Sequence, residues 1–565
     1  MIKNTTLLTL LLSSSLSCQP SSQTSRTFQT PSLSIAFSQQ ITNAALNNSP
    51  YAAKGLFRIS EPGYYLVSTD LSAAPARSNL AILHINASNV IVDLGSKTLT
   101  LSTTNYTAMP SAITIAPNVS NVTIMNGTIN GAGAHAAIAT GIAGSSTSGL
   151  HIDNIRVINC STAGITAEEC ANISISRVHT HNTGPLGVYL YKCTSGFVSD
   201  STFSGCTADT ATACGLWAKR SRGFSLENVA ISNIASIDGN TNGALLECCS
   251  GFSCNNLHAS NNTARVISKS IVDEFETRSC GEEEEEPTPV NTAPLIPDAA
   301  ADPTESGLLC IGINLTNSHG FQLQNCSANS NAAVGTNTRC FGFLFTNKSV
   351  NNRIQSCQAT NNYSNGNVTA GFFLYDSRNN SFDTCESMGN HNTSKTAAGF
   401  YSTNSGSRNF FRTCKANANY SLTGKAIGIS LHNETRSIIC NSEINANDGG
   451  SGSAFGLALT GTCTNVTVEY NKIFGNYAAT TLYGFKDFAA DSTTLLRGNV
   501  AFGQGRVFHS SSTPIDDSGS MNYMLTFKDG SNQKNLQFII KEGDTANLNS
   551  FEAGSQHWFN FSITN

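Results

Sequence analysis

The chain has 565 residues, only 12% of them charged, with a formal net charge of -5. A balance this thin and slightly acidic cannot track a phosphate backbone, which excludes nucleic acid as a partner class. No stretch approaches eighteen consecutive apolar residues, so no helical membrane span is expected.

Residues 1–22 carry Lys3, an apolar core around Leu7 to Leu12, and small residues up to Cys18, the order of a secretory signal peptide. Export is therefore expected, to an extracellular, periplasmic or envelope-anchored location. Ser15-Leu16-Ser17-Cys18 resembles a bacterial lipoprotein cleavage box, with Ser15 where an aliphatic residue is usual, and lipidation of Cys18 stays open. Residues 23–55 follow as an N-terminal segment and cap.

Over 56–505 a glycine followed by a short apolar-polar alternation recurs. It stands at Gly187, Gly215 and Gly243, then at Gly342, Gly371, Gly399, Gly428, Gly456 and Gly484, nearly always 28 or 29 residues apart. A fixed period of this size marks a solenoid. Residues one and three after each glycine are mostly apolar, as in Val188 and Leu190 or Phe372 and Leu374, and residues two and four vary. Alternation over four to six residues means a half-buried strand. A second alternating stretch follows about ten residues later, and Asn, Gly, Ser and Thr fill the gaps as turn residues. With no amphipathic helical stretch between them, two or three short strands per repeat wind into an all-β, single-stranded, right-handed parallel β-helix. Shorter rungs at Gly141 and Gly164 and looser ones at Ala81 and Ala112 bring the count to about fourteen, a rod on the order of 65 Å. A monomer is expected.

On these repeats, and on early coils such as NVIVDLGSKTLTL and NVTIMNGTINGAG, the chain resembles the right-handed β-helix superfamily of pectate lyases, polygalacturonases, phage tailspikes and alginate epimerases. The resemblance implies the coil and not an active site. The strings Asn-Thr-Asp, Gly-His-Gly and Arg-Ile-Lys of polygalacturonases are missing, as are the calcium-binding aspartates of pectate lyases and the Asp-Pro-His of epimerases. No catalytic residue carries over. Calcium stays open as a cofactor with no motif behind it.

Eighteen cysteines in an exported chain suggest disulfides, but their spacing argues for free thiols. Cys326, Cys357, Cys385, Cys414 and Cys440 lie 12 to 15 residues after their rung glycines and should stack. Stacked side chains point the same way, which makes the disulfide dihedral hard to reach. Cys170, Cys193 and Cys249 form a second ladder, six residues after their glycines, and the adjacent Cys248 and Cys249 must face different sides.

Between Gly243 and Gly312 the spacing jumps to 69, one rung plus a long excess. The excess, 264–306, holds five consecutive glutamates, Glu282 to Glu286, followed by prolines, and reads as an acidic, disordered insertion. After Gly505 the period is lost, and 506–565, with strands expected at Tyr523–Phe527 and Gln537–Lys541, reads as a C-terminal cap over an otherwise open edge.

Candidate chemistry comes from the outward positions, two and four after each glycine. Read rung by rung from Gly164, they give Thr166/Glu168, Tyr189/Tyr191, Trp217/Lys219 and Leu245/Glu247, with Lys192 and Arg220 at the border. Aromatic rings on a flat polar sheet bury the C–H faces of sugars while charged groups meet the hydroxyls, so a polysaccharide or surface glycan is the leading ligand. Glu168, Lys219 and Glu247 are the weak catalytic candidates. Three rungs, about 14 Å, separate the two carboxylates, whereas a glycosidase needs them about 5 to 9.5 Å apart. A Lys219–Glu247 pair suits a surface ion pair better than a lyase base. Phe373, Tyr375 and Tyr401, beside Asp376 and Arg378 and followed by His432 and Glu434, are expected to form a second outward set, either another subsite or a partner contact. His179 and His181 lie on alternate residues of one strand, and no spacing of His and Cys points to a metal site. The alternatives of an unrecognised lyase or hydrolase, and of a surface adhesin or scaffold, remain beside the binding reading.

Overall fold

The computed structural model describes residues 38–48, 57–73, 81–101, 111–131, 138–266 and 307–487, with short strands as far as Ile539. The signal peptide, Cys18, most of 23–55, the insertion after Val266 and most of the tail lie outside the described residues.

The described chain is a parallel β-solenoid. Its strands stack into sheets of 27, 16 and 7 members, and the single helix among the described residues is Asn43–Asn48. The 16-stranded sheet contributes one strand per coil, from Phe57–Ile59 to Arg506–Ser510. The fourteen rungs expected from the glycine pattern fall between these two outermost strands.

Register follows the repeat. Ile165 pairs with Val188, Val188 with Leu216, Leu216 with Ala244, and Ala244 with Ile313, so the long excursion costs the coil no register. The column continues through Phe343, Phe372, Phe400, Ile429, Leu457 and Phe485. All of these side chains are buried in one continuous core. Phe343, Phe372 and Phe400 stack with ring centroids 4.7 Å apart at each step, the rung spacing itself. The rung glycine is required where the strand bends inward. A Cβ on Gly342 would lie 2.7 Å from the Gly371 carbonyl oxygen and 2.8 Å from the Ala359 Cβ.

Inside the turns, amides replace apolar packing. Asn262, Asn331, Asn362, Asn390, Asn419, Asn447 and Asn476 form a buried ladder, each Nδ2 donating to the next Oδ1 at 2.8 or 2.9 Å. A repeated bend leaves the same backbone groups unpaired on every coil, and a column of asparagines satisfies them.

Among the described residues, fifteen cysteines are buried free thiols. Cys326, Cys357, Cys385 and Cys414 stack, each directing Sγ at a carbonyl of the preceding coil, 3.5 to 3.7 Å away. Burial pushes the Cys254, Cys357 and Cys414 thiols well up, which keeps them protonated and inert. Two expectations need correction. Cys440 does not join this ladder, because it pairs with Arg412 on the strand, and Ser442 takes the place above Cys414. Cys248 is not a thiol at all but disulfide-bonded.

The insertion begins later than the composition suggests. Strand Thr263–Arg265 pairs with Ala332–Val334, so the coil runs on to Val266. Beyond Gly505, Asn522–Leu525 continues the stack in parallel and pairs antiparallel with Gln537–Ile539.

Candidate functional site

The 16-stranded sheet has an inner face in the core and an outer face away from it. Two outer columns carry the aromatic and charged residues of the first half. In one, Thr166, Tyr189, Trp217 and Leu245 are in register, and Asn314 follows. In the other, Glu168, Tyr191, Lys219 and Glu247 are in register, with Thr316 next.

The rings touch. Tyr189 and Tyr191 lie nearly parallel, centroids 6.2 Å apart, and Tyr189 meets Trp217 edge-on at 5.4 Å. All three are half-buried, so each shows part of a ring to solvent. Burial is the main cause that raises the Tyr189 hydroxyl to about 12, with the charge of Glu168 next, so the phenol stays a neutral donor.

Glu247 organises the upper rim. It accepts from Lys219 Nζ at 2.9 Å and from Trp217 Nε1 at 3.2 Å, one carboxylate oxygen to each. Lys219 Nζ also lies 5.5 Å from the centre of the Trp217 ring. Three side chains from two rungs are thereby held as one unit, which fixes the indole against rotation. Below, Lys192 pairs with Glu169 at 3.0 Å and lies 5.2 Å from the Tyr191 ring. Glu168, Lys192 and Arg220 are exposed at the edge, Arg220 on a left-handed turn residue with φ 53.

Tyr191 and Lys219 stand between Glu168 and Glu247 in their column, so three register steps separate the two carboxylates. Two polar residues that the outward columns did not single out continue the surface upward. Thr316 Oγ1 donates to Asn314 Oδ1 at 3.0 Å, and Asn314 Nδ2 donates to Asn242 Oδ1 at 3.1 Å.

The second set, Phe373, Tyr375 and Tyr401, is not an open subsite. Phe373 is 0% exposed and Tyr401 6%, and both belong to a buried apolar stripe on the same outer face. Tyr375, half-buried, packs at its edge. His432 is half-buried on the outer face, its ring bonded to Thr460. Glu434 is not on that face, because it turns into the core. There its carboxylate accepts from the Ser402 hydroxyl, from Ser437 Oγ at 2.5 Å and from Asn409 Nδ2 at 3.4 Å. Burial pushes Glu434 up to about 7. The sequence does carry a signal for this, since Glu434 stands six residues after Gly428, as Cys170, Cys193 and Cys249 stand six after theirs.

His179 and His181 are both exposed and share a strand face with Thr180 inward between them. Among the described residues, no group of three or more His, Cys, Asp or Glu side chains is placed to hold a metal ion. No described helix is long and apolar enough to cross a membrane.

Residues 72–218 match the sequence family described as a right handed beta helix region. The solenoid is thus of the right-handed β-helix kind that the repeats imply. A search among curated protein sequences finds no match. Among solved structures, the A-module of mannuronan C-5 epimerase AlgE6 from Azotobacter vinelandii is similar, at 14% identity and TM-score 0.34 over 81% of this chain and 93% of that one. A mutant of the periplasmic alginate epimerase AlgG gives 9% identity and TM-score 0.35 over 83% and 84%. The catalytic domain of a GH87 alpha-1,3-glucanase gives 11% and 0.25 over 79% and 63%. At these identities the likeness is one of coil architecture.

Proposed function

We propose that the chain is an exported, monomeric β-helix protein that binds polysaccharide across the outer face of its first half. The observation that carries this reading is the cluster of three half-exposed rings, Tyr189, Tyr191 and Trp217, bordered by Glu168, Lys192, Lys219, Arg220 and Glu247. A sugar ring laid on Trp217 or Tyr191 covers apolar surface that water otherwise wets, and its equatorial hydroxyls reach the charged rim. Because Glu247 locks Trp217 and Lys219 before any ligand arrives, little side-chain freedom is lost on binding.

The same lock argues against catalysis. Each Glu247 oxygen already accepts from Lys219 or Trp217, so a proton-abstracting role would have to compete with those donors and loosen the unit they hold. The spacing of Glu168 and Glu247, about three rungs or 14 Å, leaves a glycosidase dyad too wide.

The test is binding of the purified chain to a panel of neutral and uronic-acid polysaccharides, with and without calcium, with soluble products read by mass spectrometry. Saturable binding without products is expected, weakened about tenfold by Trp217→Ala and again by Tyr191→Ala. Unsaturated or water-added fragments would make the protein a lyase or a hydrolase. Unchanged affinity in both variants would remove this surface as the site, and no binding at all would leave a scaffold.

A further inference from the structure

The 7-stranded sheet is a third face of the coil, and its outward column changes composition along the rod. In register it reads Thr207, Ala235, Thr263 and Ala332, then Tyr363, His391 and Tyr420, and single bridges carry it on to Asp448 and Tyr477. Small side chains give way to four rings on five rungs. The next residue along each strand, Ser364, Asn392 and Ser421, is buried, so alternation turns the rings out of the coil. Tyr363, His391 and Tyr420 are half-buried, and Tyr477 is 52% exposed.

The column is held from beneath. Asn362, Asn390, Asn419, Asn447 and Asn476 of the amide ladder stand one residue before its five members, and their side chains bond rung to rung at 2.9 Å. The His391 ring lies between Tyr363 and Tyr420, 5.4 and 4.8 Å from their centroids and inclined to them by 62° and 52°. Rings inclined in this way cover only part of one another. His391 Nε2 is buried without a hydrogen-bond partner among the described residues, so packing between two phenols sets this imidazole, and burial lowers its pKa and keeps it neutral. Among the described residues, nothing bonds to the hydroxyls of Tyr363, Tyr420 and Tyr477.

We propose that this strip is a second carbohydrate-binding surface, on a different face from the Trp217 cluster, and that it takes an uncharged, linear polysaccharide laid along the rod axis. The column is one ring wide and straight, running four rung steps, about 19 Å, from Tyr363 to Tyr477, which suits an extended polymer. Met388, Leu422 and Tyr477, three of the five exposed large apolar side chains among the described residues, gather here: Met388 stands three residues before His391, and Leu422 two after Tyr420. Exposed apolar side chains scattered singly are ordinary, but their alignment in one strip marks a contact surface. The other flanking positions, such as Thr360, Asn417, Asn365 and Thr393, are polar and neutral, and no lysine or arginine stands in the column or at the positions three before and two after its members from Tyr363 to Tyr477. The column's one charge is Asp448, whose Oδ1 accepts from the Gly450 amide at 2.7 Å. A uronate chain would meet a carboxylate and no cation, whereas a neutral sugar lays its C–H faces on the rings and offers its hydroxyls to phenols and amides. The Trp217 cluster, bordered by charges of both signs, is chemically distinct, so either surface can bind without the other.

Affinity electrophoresis of the full chain tests the strip, in gels carrying hydroxyethylcellulose, galactomannan or laminarin, with alginate and polygalacturonate as the anionic counterparts. Retardation by at least one neutral polymer is expected. It should persist in Trp217→Ala, weaken several-fold in Tyr477→Ala, and weaken further in the Tyr420→Ala/Tyr477→Ala double variant. Tyr477 is more than half exposed, so its truncation leaves the coil intact, and the far-UV spectrum of each variant checks this. Tyr420→Phe, which keeps the ring and removes only the hydroxyl, should give a smaller loss if the double variant fails to fold. No retardation by any neutral polymer, or retardation by alginate or polygalacturonate alone, overturns the proposal. So does neutral-polymer binding that is lost in Trp217→Ala or unchanged in Tyr477→Ala, because it then lies elsewhere. Sedimentation of the same variants adds a further arm: self-association abolished by Tyr477→Ala, with no sugar binding, would give the strip to a second copy of the chain and refute the carbohydrate reading.

Discussion

Trp217 and Phe373 occupy the same outer column of the same sheet, connected in register through Leu245, Asn314 and Leu344. One is a half-exposed ring locked to a carboxylate, and the other is a fully buried ring in an apolar stripe. The strand pattern is identical in both places, so the alternation of a β-helix strand fixes which way a side chain points and not what it meets. The first half of the face keeps polar partners for its aromatics: Glu247 for Trp217, and Lys192 beside Tyr191. The second half stacks ring on ring, Phe341 on Phe373 and Phe373 on Tyr401. A solenoid can thus carry a half-exposed aromatic surface and a buried apolar stripe on one continuous sheet.

Truncating the two rings breaks the comparison most directly. Phe373→Ala should cost about 3 to 5 kcal/mol, the range for a large aromatic removed from a packed core. Trp217→Ala should cost clearly less, because part of that ring is already wet. Chemical denaturation of both variants checks this, and equal losses would show that the two halves are not energetically distinct.

The inner turn column sharpens the contrast. Cys193, Ser221, Cys249, Ser318, Ser349 and Ser377 succeed one another there, linked through hydroxyl and backbone bonds. Gly406 and Glu434 then interrupt a series of small thiols and hydroxyls. A Cβ on Gly406 would overlap Glu434 Oε1, so the glycine makes the room that the larger side chain fills. Gly406→Ala should therefore destabilise by several kcal/mol as an overpacking change, and Glu434→Ser should recover most of the loss in the double variant. Additive losses in a double-mutant cycle would deny the coupling.

Glu434 also makes the second half pH-sensitive. Its bonded partners, Ser402, Ser437 and Asn409, are neutral, and burial raises its folded value to about 7, above that of the unfolded chain. The folded state binds this proton more tightly, so the stability is fully present below about pH 4.5 and is lost as pH rises towards 7. The loss is on the order of 3 kcal/mol. Denaturation midpoints of the chain and of Glu434→Gln, measured from pH 4.5 to 8, should differ in slope between about 4.5 and 7 and keep a constant offset above 7. A slope unchanged in the glutamine variant would assign the dependence elsewhere.

The coil, its register and the inward columns were legible because stacking forces each rung to repeat the same choice at the same offset. Tyr189, Tyr191, Trp217, Lys219 and Glu247 were placed correctly for that reason. Phe373 and Tyr401 were misjudged because alternation fixes the face a side chain is on and carries no information about how deeply that face is buried. Cys440 was misplaced because it stands twelve residues after its glycine, two short of the ladder position, which Ser442 fills at fourteen. Glu434 was legible in principle, at the offset of the cysteine ladder, but a carboxylate in a column of thiols contradicts the ordinary cost of burying charge, and only the missing side chain of Gly406 resolves it.

The smallest effect bears on the open half. The Lys219–Glu247 pair keeps 23% and 17% of its side chains exposed, so water screens it and its direct contribution to stability should stay near 1 kcal/mol or below. Its larger role is positional. In Glu247→Gln the amide oxygen can still accept from Trp217 Nε1, but Lys219 is released; in Glu247→Ala both are. If preorganisation of Trp217 matters for sugar binding, Glu247→Gln should retain most of the affinity and Glu247→Ala should lose several-fold, with little difference in stability between the two. Should the glutamine variant lose as much as the alanine variant, the charge of Glu247 itself, and not the orientation of the indole, would be what the ligand reads.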